Sequence, residues 1–74
     1  MKPLHQFNST EADRWIIEMR HSLAAHAERL RGAQHPDEVR AAMDTHLMLL
    51  REMASVHPDK REKIEALISR YERT

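Results

Sequence analysis

The sequence has no cysteine, so disulfide staples and thiolate metal ligands are both excluded. Glycine occurs once and proline three times, too rarely for a loop-rich or low-complexity chain. An excess of one charge is lacking too. Twelve lysines and arginines balance twelve aspartates and glutamates, so no net field draws the chain to nucleic acid or anionic lipid. Residues 1–7 carry one lysine and no apolar run of signal-peptide length. No stretch approaches the roughly 20 apolar residues that span a bilayer, and the expectation is a soluble, cytoplasmic protein. Ser9, Ser22, Ser55 and Ser69 lack a nucleophile-elbow setting, and there is no glycine-rich phosphate loop. Neither enzymatic chemistry nor a cofactor is expected.

Helix punctuation, by contrast, is plentiful. Asn8-Ser9-Thr10 precedes a periodic run, and Ser9 or Thr10 is placed to accept hydrogen bonds from free N–H groups, with Glu11 and Asp13 favourable at the positive helix end. Gly32 suits the left-handed position that closes a helix, so the first helix is expected over about 10–31. Pro36 with Asp37-Glu38 opens a second. His57 must end it, because the Pro58 ring disfavours helical geometry at the preceding residue. The helices predicted are therefore about 10–31, 36–56 and 58–73, forming one domain over 9–74 after a flexible N-terminus at 1–8.

Ala12, Ile16, Met19, Leu23, His26 and Leu30 alternate spacings of four and three residues, and Val39, Met43, His46, Leu50, Met53 and His57 do the same. That is the seam spacing of mated helices. Folding back at 32–35 pairs the rows head to tail, from Leu30 with Val39 to Ile16 with Met53. The fold class expected is all-α, an antiparallel helical hairpin completed by a third helix, whose Ile64, Leu67, Ile68 and Tyr71 supply one apolar stripe. A homodimer of hairpins joined through Leu47, Leu49, Val56 and helix 3, with Trp15 at the interface, is the other arrangement open to this pattern.

Leu47-Met48-Leu49-Leu50 makes helix 2 more apolar than one seam requires, and three of the five methionines lie on it. Methionine-rich helical faces adapt to partners. The expected function is therefore a non-enzymatic regulatory or adaptor protein that binds a protein partner, or itself. Trp15, Leu47, Met48, Leu49, Val56 and Tyr71 are the candidate contact residues.

His26 and His46 occupy seam positions where small apolar side chains are usual, one layer apart, and imidazole is the side chain that titrates near neutrality. They are expected to form a pH-sensitive core. No carboxylate or thiol adjoins them on the seam, so no metal site is expected. Glu18 and His21 match the Glu-x-x-His spacing of di-iron bundles, but such sites use the motif twice with two further glutamates, and His21 lies opposite the seam.

His57-Pro58-Asp59-Lys60 resembles the loop of J-domain co-chaperones, which use His-Pro-Asp between two antiparallel helices to stimulate the ATPase of a heat-shock chaperone. The resemblance covers these four residues and, loosely, Arg51, Met53 and Ala54 before them. It implies a chaperone contact carried by His57, Pro58 and Asp59. Glu52, Met53 and Val56 depart from the family's usual leucine, alanine and tyrosine, and a second His-Pro-Asp at 35–37 falls at another helix start. A third class, nucleic-acid binding, would have to rest on Arg29, Arg31, Arg40, Lys60, Arg61 and Lys63. These are interleaved with acids, so no one-signed face results.

Overall fold

The computed structural model describes residues 2–74 as a three-helix bundle, with no strand among them. Helix α1 spans Ser9–Arg31, α2 spans Pro36–Val56, and α3 spans Arg61–Arg73. Two short 3₁₀ turns, Leu4–Gln6 and Pro58–Lys60, precede α1 and α3.

The start of α1 lies one residue earlier than its spacing predicts, and its cap is Asn8 rather than Ser9 or Thr10. Asn8 Oδ1 accepts from the Glu11 N–H at 2.8 Å while Glu11 Oε1 accepts from the Asn8 N–H at 3.0 Å. Only a cap three residues before Glu11 permits this reciprocal pair.

The close of α1 also differs. Gly32 has an ordinary φ of −82°, and the left-handed residue is Ala33, at φ 53°. Hydrogen bonds from Gln34 N to Arg29 O at 2.9 Å and from Ala33 N to Leu30 O at 3.1 Å complete a Schellman closure around it. The glycine thus stands one position before the residue that needs its freedom. His35, at φ 47°, is left-handed too, and Pro36 then opens α2 as expected.

Helix α2 is the centre of the bundle, packing on both α1 and α3. Its Leu50 and Met53 are fully buried, as are Ala12 and Ile64 from the flanking helices, with Ile16 and Leu67 nearly so. Every predicted seam position is buried or half-buried, which is the signature of rows that mate. Helix α3 buries Ile64, Leu67 and Tyr71 and half-buries Ile68, covering the side of α2 that α1 leaves open.

The segment expected to be flexible has structure at residues 4–6; Met1 lies outside the described residues. Leu4 is buried in the core, and its turn packs on α2. The His57 Nε2–H donates to the Leu4 carbonyl at 2.7 Å, fastening the N-terminal turn to the α2–α3 corner.

Candidate functional site

The six candidate contact residues do not share one surface. Trp15 and Tyr71, expected as contact residues, are core residues, at 8% and 2% exposure. The reason is tertiary: Trp15 joins the cluster that also takes in Leu4, and Tyr71 points inward between the helices. Leu47 and Leu49 are half-buried against the core. Met48, at 70%, and Val56, at 37%, remain exposed on the outer side of α2. Ile17 of α1, which apolar patterning had not singled out, is 49% exposed. Its signal was available, since it falls off the seam between Ile16 and Glu18.

The histidine pair is brought together. The His26 and His46 rings lie 5.3 Å apart, tilted by 43°, and Tyr71 meets His46 edge-on at 6.1 Å. The Tyr71 hydroxyl donates its one proton to the Met19 carbonyl at 3.0 Å. The 3.3 Å contact between that hydroxyl and His46 Nδ1 therefore has Nδ1–H as donor. Neutral His46 is thereby held as the Nδ1–H tautomer. One hydroxyl thus links the α1 backbone, an α2 side chain and α3. Neither ring nitrogen of His26 has a hydrogen-bond partner, although both are shielded from solvent.

These surroundings disfavour the imidazolium forms. Burial pushes His26 below its usual range, helped by the charges of His46 and Arg29, and burial lowers His46 as well. Burial likewise raises the Tyr71 phenol, with the nearby Ser22 hydroxyl opposing it, so Tyr71 stays protonated wherever the imidazoles titrate. Among the described residues, no group of three or more His, Cys, Asp or Glu is arranged to hold a metal ion.

At the His57-Pro58-Asp59 corner, Pro58 starts a 3₁₀ turn whose Lys60 N–H bonds to the His57 carbonyl at 2.9 Å. Pro58 and Asp59 are exposed, whereas His57 is half-buried on the Leu4 carbonyl. The tripeptide at 35–37 also stands at a helix start. Both copies therefore serve as helix junctions.

No protein-family model, curated protein or solved structure matches the chain. Among the described residues, no helix is long and apolar enough to cross a membrane.

Proposed function

We propose that this is a small cytoplasmic regulatory or adaptor protein that acts by binding, through the outer face of α2, a protein partner or a second copy of itself. The observation that carries this reading is Met48. It is 70% exposed in the middle of a helix whose opposite side is buried or half-buried, with half-buried Leu49 next to it and exposed Val56 about two turns on. Removing a methionine side chain from water is worth about 1.5–3 kcal/mol. An unbranched thioether also adapts to a partner at little steric cost.

Photo-crosslinking tests this reading. A photoreactive residue at position 48 is expected to trap a protein partner or a second copy in cells, while the same residue at exposed Ala25 on the far side of α1 does not. Equal trapping at both positions, or none at 48, overturns the assignment. The J-domain-like reading draws support from exposed Pro58 and Asp59. Stimulation of a heat-shock chaperone ATPase that Asp59→Asn abolishes would move the function to that corner.

A further inference from the structure

Helices α1 and α3 touch each other less than either touches α2, and a groove opens between them where Ala24, Ala27 and Arg31 face Arg70 and Arg73. Asp13, Ile17, Arg20, Ala24, Ala27 and Arg31 recur at three- and four-residue spacings, so they form one stripe along α1. One end of that stripe is fastened to the start of α3, where Asp13 pairs with Lys60 of the preceding turn at 3.0 Å and with Lys63 at 3.8 Å. At the other end, Ala24, Ala27 and Arg31 line a groove with Arg70 and Arg73. Half-exposed Ile17 stands between the two ends.

The groove is basic. Arg31, Arg70 and Arg73 line it, Glu28 is the one acidic side chain among the lining residues, and Glu28 is already paired with Arg31. Lys63 shares its one carboxylate with Lys60.

Because the chain as a whole is neutral, acid in excess must stand elsewhere, and it stands on α2. Asp37, Ala41, Asp44, Met48 and Glu52 form a single exposed stripe. None of its three carboxylates makes an ion pair among the described residues. The spacings agree as well. At 1.5 Å per residue, Asp44 and Glu52 are about 12 Å apart along α2, and Lys63 and Arg70 about 10 Å apart along α3.

We infer that the groove between α1 and α3 receives the α2 ridge of a second copy, with Met48 against Ile17 and Ala24 and the two acids against Arg70 and Lys63. This rests on the α2 face being the binding surface, and it names the occupant. The two surfaces differ, so the contact is head to tail and builds a ring or an open chain rather than a closed pair.

Sedimentation from low to high micromolar concentration, at low and high salt, tests it. The wild type is expected to grow beyond a dimer with concentration and to dissociate as salt screens the charges. Arg70→Glu spoils only the groove, and the double change Asp44→Lys with Glu52→Lys spoils only the ridge. Each should weaken association by about tenfold or more, the scale of a lost interfacial charge pair. Mixing the two variants should restore at least a one-to-one dimer, since one intact groove then meets one intact ridge. All three positions are exposed and make no ion pair among the described residues, so thermal melts should show the variants folded.

A wild type that stays monomeric at low salt overturns the inference but leaves the α2 face to be judged by crosslinking. Assembly that survives Arg70→Glu but is lost in Met48→Asp overturns the groove as the seat and retains the α2 face. Assembly that survives both overturns the inference and removes self-association from the α2 face.

Discussion

Tyr71→Phe removes the hydroxyl oxygen that links the three helices. The variant keeps the ring in the core, where Tyr71 is 2% exposed, so no cavity larger than the oxygen is made. The Met19 carbonyl loses a second acceptance but keeps its place in the α1 ladder, which makes that loss mild. The His46 Nδ1–H loses its part-buried acceptor at 3.3 Å, and a buried donor left unpaired costs about 1–3 kcal/mol. Relief from burying the hydroxyl offsets part of this, so the net loss expected is about 1–2 kcal/mol. A domain of this size has roughly 4–11 kcal/mol of stability in all, and the melting temperature should fall by about 5–15 °C. Urea and thermal melts followed by circular dichroism at about pH 8, where the imidazoles are neutral, measure it. A double-mutant cycle with His46→Leu should then show non-additivity of at least ~0.5 kcal/mol. Full additivity, or a single-variant loss below ~0.3 kcal/mol, would refute the bridge as an energetic link.

Acid should loosen the bundle. Both imidazoles titrate below their ordinary 6.5 in the folded chain because burial opposes the charge. The unfolded chain therefore takes up these protons first, and stability declines as pH falls below 6.5 and through the folded values. Asp13 and Glu11 are held below their ordinary 3.8 and 4.5 by lysine and backbone hydrogen bonds, so their loss comes in a separate, more acidic window. Melts at about pH 8 and about pH 5.5 should show a drop in the wild type that shrinks in His26→Leu and His46→Leu; an undiminished drop in both variants would absolve the pair. At the α1–α2 turn, exchanging the two residues as Gly32→Ala with Ala33→Gly should stabilise by about 0.5–1 kcal/mol. A Cβ at position 32 meets its nearest atoms at an ordinary 3.7 Å, and the left-handed strain at 33 disappears. A lower melting temperature in this double variant would show that the closure is not strained.

The backbone plan of this protein is largely local in origin, and so it was legible in the chain. Alternating spacings of three and four residues define which side of each helix is apolar, and Pro36, Pro58 and the acids after them mark starts through steric and dipole effects acting within a turn. Those signals predict α2 over Pro36–Val56 as it is observed, and the paired rows that meet at His26 and His46. Where local signals compete, they mislead by a residue: Asn8 wins the cap because only it suits Glu11, and the left-handed bend falls on Ala33 although glycine is next door.

What no local rule contains is which of two apolar sides gets covered, and by what. Trp15 and Tyr71 carry as much apolar surface as an interface anchor would. Their burial depends on where α3 and the Leu4 turn come to rest, contacts spanning more than fifty residues, such as His57 to Leu4 and Tyr71 to Met19. Sequence alone therefore determined the helices and the mated seam, because both follow from periodicity within a few turns. Only the packed molecule decided that Met48 and Ile17 stay outside while Tyr71 turns in, because exposure is set by distant elements competing for the same apolar surface.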